Sequence, residues 1–367
     1  MISDALMQKI ARNVIRKSMF VKEKEAVVIR TGEKAVKFAE MLAYEAAIIG
    51  ANPSINYASD ELSLKIFKNL KIKFIKRIPK LSKYLAENID VEIMLDDSNP
   101  FLENQLPQDK IQIRQKAFKP IRDIRDRRVK NKTIKSVLLG YPTKETAKFV
   151  GVPFKKLENI FWKMLATDPY ELSAANERIM KIMKKTDKIR IVGEKTDLEF
   201  SVKGREPMND CGLWVKDKIG YLNLPSGEVF YAPVEDSANG EIFFDLPCLW
   251  HFGKRVHGVW FRFEKGKVVE YKIRKGLKNF EDVMKHATGD KYRIAELGIG
   301  TNPNARPTGG VTIIDEKLVG TIHIAIGWNK GYGGKNDSTV HWDFFKTMKR
   351  GKMYADGKLV MKNGKFI

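Results

Sequence analysis

The chain has 367 residues, 43% of them hydrophobic, which is enough for two domains that each bury a core. Its best apolar run, Met41 to Ala51, is broken by Tyr44 and Glu45, so no segment is expected to span a bilayer. A net charge of +22 raises the prospect of a nucleic-acid partner. Acidic residues are nevertheless interspersed almost everywhere, and the Lys- and Glu-rich, Cys-poor profile also suits the ion-paired surface of a thermophile's protein.

The opening MISDALMQKIARNVIRK places apolar residues at helical spacing among charges, unlike a secretory signal, so a cytoplasmic protein is expected. Cys211 and Cys248 are then two lone thiols that need no partner. Ala26 to Arg30 is a short β-branched run, and Ala35 to Ile49 repeats apolar residues at helical spacing until Gly50 closes it. Ser54 to Ala58, Val91 to Leu95 and Ser136 to Gly140 read as further strands. Strands alternating with helices predict a parallel sheet covered on both faces. The TGEK turn at 31–34 lacks the glycine spacing of a dinucleotide fingerprint. Arg114 to Lys132 is the densest basic run, yet it contains Asp123 and Asp126 and only Phe118 to stack on a base. Stacking platforms interleave several aromatics, so a nucleic-acid-binding protein is the weaker reading.

From Pro142 to about Lys185 the pattern is helical, with breaks at Val152-Pro153 and Asp168-Pro169. Beyond that, short β-type runs follow one another: 189–192, 198–202, 221–224, 229–232, 241–246, 259–263, 268–273, 311–314 and 321–326, with a helix near Phe280 to Ala287. The expected organisation is an α/β domain with a parallel sheet over 1–185. An α+β domain over 186–367 follows, with a mainly antiparallel, barrel- or sandwich-like sheet.

His323 lies in an alternating strand that sends Ile322, Ile324 and Ile326 to one face and His323 with Ala325 to the other. His341 and Asp343 stand two apart, so an extended chain points both the same way. That is half a metal site, or a hydrogen-bonded pair in a half-buried strand. Glu228 and Glu296 sit inside apolar runs, where an unpaired charge costs several kcal/mol, so each calls for a metal ion or a buried Lys or Arg.

LPSGEVFYAP (224–233), AELGIGTNPNARPTGG (295–310), DEKLVGTIHIAIG (315–327) and VHWDFF (340–345), in that order, resemble the four signature blocks of the aminopeptidase T family of metallopeptidases. EAAIIGA, YPTKETAK and TDLEFSVKGR add weaker likeness upstream. The resemblance implies a catalytic C-terminal domain holding two divalent ions. Glu228 and Asp343 would bind one, His323 and His341 the other, and Glu296 would bridge them. Zinc or cobalt fits the mixed nitrogen and oxygen donors, with manganese or magnesium as further candidates. The resemblance further implies a shared, acidified water, peptide substrates with a free N-terminus held through the α-amine, and a homodimer enclosing the active sites.

Relatives carry a tyrosine a few residues after the first histidine of the site. The same count from His323 reaches Lys330, and Tyr332 is the nearest phenol able to donate a hydrogen bond in the transition state. Glu316 is a general base on chemistry alone, with loop structure as its simpler role. Cys248, His251 and His257 match no common zinc spacing, and His286 suits the C-terminal end of a helix. The rival enzyme is a mononuclear Fe(II) dioxygenase of dihydroxypyridines, for which His323, His341 and Asp343 would suffice. Glu228 and Glu296 are then superfluous, which favours the two-ion peptidase.

Overall fold

A computed structural model describes residues 2–216, 218–250 and 253–367. The chain forms two compact units, Met1–Ala166 with Gly212–Pro225 and His251–Gly253, and Thr167–Cys211 with Ser226–Trp250 and Lys254–Ile367. The helix Pro169–Met183 therefore belongs to the second unit, ahead of the boundary expected near residue 185.

The first unit is built on five parallel strands in the order Asn52–Tyr57, Ala26–Thr31, Val91–Asp96, Lys135–Gly140, Tyr221–Leu224. Val27, Ile29, Val91, Ile93, Val137 and Leu139 are buried on one face and Val28, Glu92 and Ser136 on the other, as suits strands covered on both faces. The run 221–224 is a strand as expected, but it completes this parallel sheet instead of joining the antiparallel region. The helix Val36–Ile48 is preceded by Asp97, whose carboxylate accepts from the backbone N–H groups of Gly32 (2.9 Å), Lys34 (2.8 Å) and Ala35 (3.0 Å). Those donors, which a bound phosphate would otherwise claim, are already engaged. The basic run forms the helices Gln108–Ala117 and Lys119–Lys130, and three of its arginines are engaged within the protein. Arg114 donates to the carbonyls of Ile75 and Arg77, Arg128 to those of Ala86 and Thr133, and Arg125 pairs with Glu92 at 2.7 Å.

The second unit holds two antiparallel sheets, one of nine strands and one of five among the described residues. The five-stranded sheet runs His341–Thr347, Thr321–Gly327, Ile294–Gly300, Glu228–Tyr231, Met208–Asp210. One continuous apolar cluster draws on both sheets, with Ile189, Ile191, Phe200, Phe244 and Phe261 from the larger and Ile322, Ile324, Ile326, Trp342 and Phe344 from the smaller. The expected strand at 311–314 is instead one helical turn, Thr312–Asp315. The buried Asp315 carboxylate accepts from Thr308 N, Thr308 Oγ1 and Gly310 N, which folds the RPTGG segment back on the turn. No helix of the described residues is long and apolar enough to cross a membrane.

Candidate metal centre

The register of the five-stranded sheet assembles the site. Across it Asp210 faces Glu228, Glu228 faces Gly300, Gly298 faces His323, and Ala325 lies between Glu296 and Asp343. Alternation puts these residues on one face and the isoleucines of 322–326, with Trp342 and Phe344, on the core face. Gly298 makes room: a Cβ there would stand 2.0 Å from Cε1 and 2.1 Å from Nε2 of the His323 ring.

The five ligand candidates form two overlapping groups, Glu228, Glu296 and His323, and Glu296, His341 and Asp343. Glu296 belongs to both. Its Oε1 lies 3.2 Å from His323 Nε2 and its Oε2 3.6 Å from His341 Nε2. His323 Nε2 also stands 3.4 Å from Glu228 Oε2, and His341 Nε2 stands 3.4 Å from Asp343 Oδ1. The grouping thus pairs each histidine with one acid, whereas the resemblance pairs the two histidines together. Four of the five are buried, and His341 keeps 28% of its side chain exposed at the open side of the cluster. Glu228 Oε2, Asp343 Oδ1 and His323 Nδ1 are buried without a hydrogen-bond partner. Buried acceptors left unpaired around mixed oxygen and nitrogen donors suit divalent ions.

Neighbouring groups aim these ligands. His341 Nδ1 lies 2.8 Å from the Trp328 carbonyl, which fixes the ring with Nε2 toward the acids. The Tyr332 hydroxyl donates to the same carbonyl at 3.2 Å and is 3.2 Å from His341 Nδ1, while its ring packs on Phe230 and Trp328. Burial, with the charges of Glu296 and Asp343, pushes its pKa up, so it stays a donor. Lys330 pairs with Asp337 at 2.8 Å instead.

Glu316 is buried as well, and its Oε1 accepts from Lys317 Nζ at 3.0 Å. Lys317 and Asp210 complete the cluster, and the sequence reading passed over both. A charged DEK triplet reads as a solvated loop, yet Asp315, Glu316 and Lys317 are all buried. The signal was the apolar residues on both sides of the triplet, Ile313-Ile314 and Leu318-Val319.

Burial works to discharge both histidines but is outweighed. The hydrogen bond to Glu296 and the charge of Glu228 lift His323 to about 9, and the charge and hydrogen bond of Asp343 lift His341 to about 10. Burial raises Glu228 to about 8 against the pull of Lys317, while His341 overcomes burial and brings Asp343 down to about 2. Without a metal ion, protons stand in for cations. His323, His341 and Glu228 then hold more protons folded than unfolded, so their stabilisation is complete at low pH and lost as pH rises through about 8 to 10. Asp343 acts oppositely, only below its ordinary 3.8. Chelator-treated protein should therefore melt at progressively lower temperature from pH 6.5 to 10. Saturating zinc should abolish that decline, because ligands must shed their protons to bind it. A melting curve equally pH-sensitive with and without zinc would show that these groups do not hold the ion.

The two other described histidines hydrogen-bond to backbone carbonyls. His286 ends the helix Leu277–His286 with Nδ1 2.8 Å from the Asp282 carbonyl, and His257 Nε2 faces the Asp245 carbonyl at 3.3 Å. Cys248 Sγ accepts from Phe345 N and donates to the Leu246 carbonyl. His251 lies outside the described residues.

The chain matches the family described as thermophilic metalloprotease (M29) over residues 3–366. Aminopeptidase T of Thermus aquaticus is 25% identical over 378 residues, covering 92% of this chain and 91% of that protein. Aminopeptidase T of Thermus thermophilus is 25% identical over 414 residues, covering 98% of each. Among solved structures, wild-type AmpT from Thermus thermophilus superposes with a TM-score of 0.80 at 20% identity, covering 99% of both chains. The 2,5-dihydroxypyridine dioxygenase from Pseudomonas putida KT2440 superposes with a TM-score of 0.65 at 16% identity, covering 100% of this chain and 98% of that one. These two structural likenesses are of fold.

Proposed function

We propose that this chain, which belongs to the thermophilic metalloprotease family M29 and is thereby a metallo-aminopeptidase, holds two divalent ions on Glu228, Glu296, His323, His341 and Asp343 and releases N-terminal residues from peptides. The observation that carries the two-ion reading is Glu296, a single carboxylate with one oxygen toward each ligand group. Charge supports it. Asp210, Glu228, Glu296, Glu316 and Asp343 are five buried carboxylates against one buried ammonium, Lys317, and five minus one leaves four negative charges. Two divalent ions balance them with both histidines neutral.

When bound, such ions supply Lewis acidity and make a coordinated water a nucleophile near neutral pH. The protein's own residues do the rest. Glu296 keeps the two ligand groups together, and the Trp328 carbonyl holds His341 in register. Tyr332, whose hydroxyl donates to the Trp328 carbonyl, would turn that proton to the oxyanion when substrate is bound. Glu316, tied to Lys317, contributes charge to the cluster more than it accepts a proton.

Protein purified without added metal and then titrated with zinc or cobalt should take up about two ions per chain, as two-metal sites do. It should hydrolyse short peptides with a free N-terminus and leave N-acetylated ones intact. One tightly held iron with ring-opening of dihydroxypyridines and no peptide hydrolysis would transfer the assignment to the dioxygenase.

A further inference from the structure

Lys317 is the only lysine of the cluster, and its side chain is 0% exposed. A buried ammonium is costly unless every N–H is matched. Here three carboxylates surround it: Glu228 Oε1, to which it donates at 2.5 Å, with Asp210 Oδ2 at 2.7 Å and Glu316 Oε1 at 3.0 Å as ion pairs. Asp210 and Glu228 face each other across adjacent antiparallel strands, where like charges are unfavourable, and Lys317 relieves that opposition. Its backbone is seated against the ligand-bearing strand, since a Cβ on Gly300 would come within 2.6 Å of the Lys317 carbonyl carbon. Gly300 in turn pairs with Glu228. The other Glu228 oxygen, Oε2, is buried without a hydrogen-bond partner and faces His323.

Resting on the two-ion reading, we propose that Lys317 is a positioning residue: it takes Glu228 Oε1 for itself, so that Glu228 ligates through Oε2 alone and the Asp210, Glu228 and Glu316 trio admits no further metal ion. Lys317 is thus a built-in cation that sorts the two oxygens of one ligand. Without it, Glu228 is free to chelate through both oxygens or to turn toward an ion recruited between the three acids.

The test uses the full chain, stripped of metal and titrated with zinc against a chromogenic chelator. Wild type, Asp210→Asn, Lys317→Met and the double variant Asp210→Asn/Lys317→Met are compared. In Lys317→Met one zinc should weaken about 10- to 100-fold while the other stays within about twofold, as for loss of a group that orients a ligand. Asp210→Asn, which keeps the Lys317 contact to Glu228 but removes one of the four net negative charges, reads the effect of charge alone and should not weaken one zinc selectively. The double variant restores the net charge but not the contact, so it should remain weakened. Full recovery in the double variant would reduce Lys317 to a charge, and unchanged zinc affinities in Lys317→Met would reduce it to a core residue. Either result overturns the proposal. Should both lysine variants fail to fold, the infrared difference spectrum of wild type on zinc loading still decides, with Glu228→Gln to assign the bands. A wide carboxylate splitting marks one-oxygen ligation, and the narrow splitting of a chelate overturns the proposal. Wild type that binds only one zinc refutes the two-ion reading separately, while the infrared experiment remains decisive for Glu228; wild type that binds none overturns both.

Discussion

Glu296→Gln is expected to lower peptide hydrolysis by about 10³-fold or more, since several kcal/mol of transition-state stabilisation is at stake at about 1.4 kcal/mol per decade. Added zinc should not restore it. The carboxylate serves both ligand groups, with Oε1 3.2 Å from His323 Nε2 and Oε2 3.6 Å from His341 Nε2. Glutamine keeps one good acceptor and turns an NH2 donor toward the other group. Glu228→Gln or His323→Ala removes a donor from one group only, so excess metal should rescue part of their activity. A circular dichroism melt would establish that each variant is folded before rates are compared. Near-normal hydrolysis by folded Glu296→Gln beside a dead Glu228→Gln would remove Glu296 from the shared position.

Gly298→Ala should be nearly as damaging, although it adds one methyl group to a residue with no chemistry of its own. The new Cβ would stand 2.0 Å from Cε1 and 2.1 Å from Nε2 of His323, far inside any non-bonded contact. The pairing of Gly298 with His323 holds the two strands at fixed separation, and Phe345 lies on the ring's other neighbour strand with centroids 5.9 Å apart. The imidazole must therefore swing away from Glu228 and Glu296. Zinc affinity at one site and peptide hydrolysis should each fall about 100-fold or more, the upper range for a disturbed ligand environment. Overpacking should destabilise the fold by only about 1–3 kcal/mol. A Gly298→Ala protein with wild-type zinc affinity would mean that His323 is not held as described.

The candidate ligands were legible as a group because each breaks a pattern. Glu228 and Glu296 are acids in apolar strands, and His323 interrupts a run of isoleucines. Period-two alternation then tells which side chains share a face, and the order of the strands needs only pairing to bring them together. Lys317 was missed because a charged triplet beside a turn is ordinarily solvated; the flanking apolar pairs hint at burial, but only the three-dimensional meeting with Asp210 and Glu228 names its partners. The runs 221–224 and 311–314 failed for a related reason. Runs of four residues carry too few periods to choose a partner sheet, or to choose strand over helix, and tertiary contacts made the choice.

The first sheet takes its fifth strand, Tyr221–Leu224, from far along the chain, after an excursion into the second unit. After Gly140, the end of the fourth strand, 84 more residues (224 − 140) must be added to complete Leu224. At about 5–20 residues per second, the edge of the fourth strand waits about 4 to 17 s for its neighbour. That neighbour arrives only after the Asp210 strand has emerged and just before the Glu228 strand does. A nascent chain stalled before residue 221 thus exposes an unpaired strand edge, the surface on which chains aggregate. Completing the first sheet and giving the Met208–Asp210 strand its first partner in the sheet of candidate ligands are consecutive events at the ribosome, separated only by the three residues Pro225, Ser226 and Gly227.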